Sequence, residues 1–138
     1  MKRLENCKKI VFIQKQISEL PFQLIQPNRV FLEQADFLMV ENGKKRRKKC
    51  WLFSDILLYA SYRTFRSLKY KGFVSLKKIR VEDFGKMLEL FDLEHFKPLY
   101  LCFSSEEVKK KWLLLLKERI LFYKKRQDTL DKHTSNFF

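Results

Sequence analysis

Glycine, proline and cysteine are scarce, at three residues of each in 138. So few glycines cannot build a phosphate-cradling loop, and no GxGxxG, P-loop or nucleophile-elbow pattern occurs. With so little Gly and Pro the chain also has no long low-complexity linker. Cys7, Cys50 and Cys102 are odd in number, far apart and outside any CxxC. They are expected to be reduced thiols of a cytosolic protein, two of them packed in strands. His95 and His133 have no cysteine or carboxylate partner at ligand spacing, so neither a metal site nor a cofactor is expected. No run approaches the ~20 apolar residues that a membrane-spanning helix requires. The first nine residues are charged, and the apolar stretch after them is broken by Gln14, Lys15 and Gln16, so no secretory leader is expected. No catalytic constellation is left to propose, and the chain reads as a non-enzyme.

Apolar residues make up 46% of the chain, and 14 of its residues are Phe. That is enough for one domain with a substantial core. The formal net charge is +14, from 30 Lys and Arg against 16 Asp and Glu. A field of that sign attracts polyanions: nucleic acid, an anionic membrane leaflet or an acidic protein surface.

Periodicity divides the chain. Leu4, Cys7, Ile10, Val11, Ile13, Ile17 and Leu20 recur at helical spacing, which predicts a helix over 4–20, ended by Pro21. A connector over 21–28 follows. From Arg29 to Phe103 the period becomes two. Strands are expected at 29–40, 46–53, 56–61, 67–76, 79–83, 87–93 and 99–103, the first two joined by a turn at Glu41-Asn42-Gly43. Seven short strands at near-regular spacing indicate a small antiparallel barrel or sandwich. The last element is a helix, with Ser104 and Glu107 as a capping box and Val108, Trp112, Leu115 or Leu116, and Ile120 as its apolar stripe. Trp112 is expected to be a core residue that closes an open end of the barrel. The helix is expected to fray after Lys124, with a loose tail from His133. The expected divisions are 1–28, 29–126 and 127–138.

Six basic residues stand in succession, Lys44-Lys-Arg-Arg-Lys-Lys49. Such a run can protect a sheet edge, serve nuclear import, or meet a polyanion. Strand alternation puts Arg47 and Lys49 on one face with Trp51 and Phe53. If those two aromatics are interior, Arg47 and Lys49 point towards the mouth of the barrel, with Lys44, Lys45 and Arg46 at its rim.

Seven strands closed by a helix with one central Trp resemble the pleckstrin-homology (PH) domain. The stretches that carry the resemblance are Arg29-Val-Phe-Leu-Glu33, Lys49-Cys-Trp-Leu-Phe-Ser-Asp-Ile-Leu-Leu-Tyr59, Tyr70-Lys-Gly-Phe-Val-Ser-Leu76 and Ser105-Glu-Glu-Val-Lys-Lys-Lys-Trp112. Leu52 to Tyr59 is similar to the corresponding turn in Rho-family guanine-nucleotide exchange factors. The front of the chain resembles the junction where the last Dbl-homology helix runs into its PH domain. The resemblance implies a mainly β, seven-stranded fold capped by a C-terminal helix, with an extra N-terminal helix. It also implies a module without exchange activity of its own, since that activity belongs to the Dbl-homology bundle.

In PH domains that bind inositol phosphates, the strand position of Lys49 supplies a basic phosphate ligand, and Tyr59 and Lys71 stand where further ligands often lie. Together with Lys44, Lys45 and Arg47 they form the expected anion site, joined by charge-assisted hydrogen bonds to phosphate. The region Phe37-Leu-Met-Val40 lacks the cation that tight binders carry there. Weak, charge-driven attachment to phosphoinositides and other anionic phospholipids is therefore expected, at ~1 kcal/mol per basic residue. That would put the protein in the cytoplasm, peripheral to the inner face of the membrane. The alternative is an autoregulatory domain that docks on a Rho-family GTPase or on the Dbl-homology domain. Nucleic acid is disfavoured, because the aromatics fall at core positions and leave no exposed row for stacking bases. The helix over 4–20 can pack on the barrel, or pair with a second copy to form a dimer.

Overall fold

The computed structural model describes residues 2–64 and 66–135, with side chains as far as 131. The chain divides into two compact units, Met1–Val74 and Ser75–Phe138.

The first unit opens with α1 (Arg3–Gln16), followed by β1 (Ile17–Ser18), β2 (Phe31–Glu41), β3 (Lys44–Phe53), β4 (Ile56–Thr64) and β5 (Ser67–Ser75). Their order in the sheet is β1-β5-β4-β3-β2. The helix ends four residues earlier than its apolar spacing predicts. Ile17 is extended, with φ −107° and ψ 120°, and together with Ser18 it pairs in parallel with Leu68 and Lys69. This short parallel strand is an eighth, added to the seven read from the sequence. β2 and β3 form an antiparallel hairpin whose turn residues, Asn42 and Gly43, both have positive φ, of 53° and 76°. A two-residue turn of that hand matches the twist of the strands it joins.

One face of this sheet carries Trp51, Phe53, Ile56, Leu58, Ala60 and Leu68, and α1 covers it with Ile10 and Ile13, joined by Ile17 of β1. Polar contacts lock the helix in place. Asn6 donates from Nδ2 to the Arg29 carbonyl at 2.9 Å and accepts the Phe31 amide at Oδ1 at 2.8 Å. Gln14 accepts the Leu24 amide at 2.7 Å. Arg29 forms a two-pronged ion pair with Asp55, each prong 2.9 Å, and donates to the Leu24 carbonyl at 2.8 Å. The isoleucine stripe that a dimer would use is therefore buried within the chain, and Leu4 and Phe12 are the exposed apolar residues of α1. The opposite face of β3 and β4 presents Cys50, Leu52, Leu57 and Tyr59, all buried.

The second unit contains a 3-10 turn (Leu76–Lys78), β6 (Ile79–Phe84), β7 (Met87–Asp92), β8 (Lys97–Cys102) and α2 (Glu106–Ser135). The strands form an antiparallel meander, and α2 packs on the 3-10 turn, β6 and β7. The cap lies one residue beyond the expected Ser104. Ser105 Oγ accepts the Val108 amide at 3.4 Å, so Glu107 is not its reciprocal partner. In that register Lys109, Trp112 and Leu116 turn inward and Val108 is exposed. Lys109 is buried but fully engaged, at 2.8 Å from Asp83 and 2.6 Å from the Gly85 carbonyl. The helix does not fray at Lys124. No glycine or proline interrupts it, and the Gln127–Asp131 side-chain bond at 2.9 Å supports its later turns. The expected tail from His133 is helical as far as Ser135, and its last three residues lie outside the described ones.

Candidate anion-binding hollow

The β3–β4 ladder runs from Leu52↔Leu57 to Lys48↔Ser61. Beyond that pair Arg46 and Arg47 on one strand flank Tyr62 and Arg63 on the other, and β5 adds Lys69 and Lys71. These residues, with Lys48 and Ser61, line a hollow of about 350 Å³. Six of its eight lining residues are cations. Lys44, Arg46 and Lys48 lie on one face of β3, and Lys45, Arg47 and Lys49 lie on the other.

Not every cation is available to a ligand. Arg47 donates to Asp36 at 2.9 Å and stacks 4.8 Å from the centre of the Tyr62 ring. That hydrogen bond holds the guanidinium above its ordinary value. The Tyr62 hydroxyl donates to the other Asp36 oxygen, and burial with this bond pushes its pKa up to about 12. Arg63 and Lys69 face Glu19. Among the described residues, Arg46, Lys48 and Lys71 have no carboxylate ion-pair partner. Lys48 donates to Ser61 Oγ at 2.6 Å. Its pKa is lowered by burial first and by the neighbouring charge of Lys71 second. Burial and like charge both disfavour its cationic form, and a bound anion would relieve the repulsion.

Of the residues expected from sequence, Arg47 and Lys71 line the hollow. Lys44 and Lys45 are exposed by the hairpin turn and are not among its lining residues. Lys49 projects on the α1 side, its ammonium 5.8 Å from the Trp51 ring centre. The Tyr59 hydroxyl is directed to Glu41, donating at 2.8 Å, and burial and this bond raise its pKa. The aromatics Trp51 and Phe53 are interior as read, but what they face is α1. The face of β3 that reaches the hollow is therefore mainly that of Arg46 and Lys48. Sequence reasoning missed Lys48, Ser61, Tyr62, Arg63 and Lys69, and named Arg46 only as part of the rim. The signal that could have found three of these is the stretch Ser61-Tyr-Arg63, which continues β4 past its last pairing with β3. Among the described residues no cluster of three or more His, Cys, Asp or Glu could hold a metal. No helix among them is long and apolar enough to cross a membrane.

The strand succession and the C-terminal helix seated on the strands of its own unit are those of the PH-type fold. No family model matches the chain. It is similar to Rac guanine nucleotide exchange factor B of Dictyostelium discoideum, 34% identical over 80 residues, which is 55% of this chain and 7% of that protein. It is also similar to FYVE, RhoGEF and PH domain-containing protein 6 of Mus musculus, 26% identical over 134 residues, or 94% of this chain and 9% of that one. A solved structure that addresses the PH and C1 domains of the Vav1 exchange factor matches with a TM-score of 0.75 and 22% identity, over 85% of this chain and 32% of that one. The chain thus spans less than a tenth of the two curated relatives.

Proposed function

We propose that this chain is a non-catalytic PH module that brings a Rho-family exchange factor to the inner face of a membrane by holding an anionic lipid headgroup, a phosphoinositide in particular, in the hollow between β3, β4 and β5. The observation that carries the reading is the convergence of Arg46, Lys48 and Lys71, which have no carboxylate ion-pair partner among the described residues, beside the Ser61 hydroxyl. Several cations and a hydroxyl around one concavity are what phosphate oxygens require. Two of these three cations are lysines, which hold phosphate as point charges, so affinity is modest and sensitive to salt. The test is an NMR titration with inositol 1,4,5-trisphosphate. Amide shifts confined to residues 46–48, 61–63 and 69–71 are expected, and shifts scattered over the basic surface would contradict a site at the hollow.

A second reading has its own support. Asn6 ties α1 to Phe31 at the start of β2, and Gln14 ties it to the connector at Leu24. A helix so fixed suits a module that docks on a Dbl-homology domain or on its Rho-family GTPase and sets the orientation of one against the other. The Vav1 work assigns its PH and C1 domains a critical structural role in that exchange factor. Docking of this kind would survive substitution of Lys48 and Lys71, which separates it from lipid attachment.

A further inference from the structure

Arg63 and Lys69 stand apart from the other cations of the hollow, because they share a carboxylate that arrives from the junction after α1. Glu19 Oε1 lies 3.5 Å from Arg63 and Oε2 lies 3.3 Å from Lys69. Both contacts are longer than a good charge-assisted hydrogen bond, and the Glu19 side chain is 57% exposed. The carboxylate is therefore open to exchange. Its backbone is held unfavourably as well. Glu19 has φ 62°, in the left-handed region that a residue with a Cβ seldom adopts. Such strain persists only where the surroundings impose it. Here the surroundings are β1, which pairs with Leu68 and Lys69, and Ser18 Oγ, which donates to the Leu68 carbonyl at 3.0 Å. The junction is fastened to the strand that carries Lys69 and Lys71.

We propose that Glu19 is an internal competitor for the hollow: its carboxylate occupies the place at Arg63 and Lys69 that a ligand phosphate would use, and an incoming phosphate displaces it. The inference rests on the anion-binding reading above and adds a regulatory contact to it. Displacement removes both contacts of the Glu19 carboxylate, with Arg63 on β4 and Lys69 on β5. Occupancy of the hollow is thereby coupled to the segment that joins α1 to the sheet.

The experiment is isothermal titration of the whole chain with inositol 1,4,5-trisphosphate over a salt series. Glu19→Gln removes the charge and keeps the size. Glu19→Gly removes the charge and suits the backbone, so it guards against a folding artefact. Glu118→Gln, on α2 and outside the hollow, changes net charge equally and serves as the control. Both Glu19 variants are expected to bind about three- to ten-fold more tightly than wild type, the worth of two exposed ion pairs, with a steeper salt dependence. Glu118→Gln is expected to match wild type, and Lys48→Ala with Lys71→Ala to abolish binding in every background. If wild-type binding depends on Lys48 and Lys71 but Glu19→Gln binds no more tightly than Glu118→Gln, the competitor role is wrong and the hollow stands. If no form binds, or binding ignores Lys48 and Lys71, both the competitor and the hollow are wrong. Binding by the Glu19 variants alone would mean that the carboxylate closes the site completely.

Discussion

Gly72 sits against the buried ring of Tyr59 so closely that an added Cβ would lie 2.6 Å from its hydroxyl and 2.8 Å from the carbon that bears it. The ring cannot retreat freely, since its hydroxyl is committed to Glu41 and its flank is buried. Gly72→Ala is therefore expected to destabilise the fold by about 1–3 kcal/mol, the usual cost of overpacking. Chemical denaturation checks this, and adding Tyr59→Phe should recover part of the loss by removing the nearest atom. An unchanged midpoint would mean that the strand shifts to make room. The resemblance to inositol-phosphate-binding PH domains puts Tyr59 at an anion site. It could not show that a glutamate eighteen residues earlier in the chain, at the end of β2, claims that hydroxyl first.

The strands and their turns were readable from the sequence because alternation and Asn-Gly chemistry are local. The orientation of β3 was not. Cys50-Trp-Leu-Phe53 is apolar at every position and buried on both faces, so parity alone leaves open which face meets α1. A shift of one residue in that choice exchanges Lys49 for Lys48 as the residue at the hollow. The end of α1 was hidden for a related reason. Ile17 and Leu20 fit a helical stripe, but a β-branched residue is equally at home in the short strand that Ile17 joins. The turn between β7 and β8 gives a test at this scale. Asp92 accepts the Glu94 amide at 2.9 Å and the His95 amide at 3.1 Å, and the His95 ring lies 2.8 Å away. Burial pushes the carboxyl up, but the hydrogen bonds from His95 and Glu94 together outweigh it and hold its pKa below the ordinary 3.8. A depressed carboxyl stabilises the fold above its unfolded pKa, and that contribution is lost as pH falls through the folded value. Asp92→Asn should therefore flatten the fall of melting temperature below about pH 4. Parallel acid limbs in wild type and variant would show that the turn does not couple to folding.

For the whole molecule, a net charge of +14 guarantees attraction to any polyanion, so binding to an anionic surface is weak evidence for a site. The discriminating feature is local. Two carboxylates, Asp36 and Glu19, pair with three of the six cations in the hollow, and among the described residues Arg46, Lys48 and Lys71 have no ion-pair partner. The most direct measurement is vesicle co-sedimentation at several salt concentrations. It compares phosphatidylinositol bisphosphate with phosphatidylserine at matched surface charge, for wild type and for Lys48→Ala with Lys71→Ala. A preference for the phosphoinositide that disappears in the double variant is the predicted result. Equal binding to both vesicles, fading with salt and indifferent to Lys48 and Lys71, would contradict the account and reduce the hollow to one part of a diffuse basic surface.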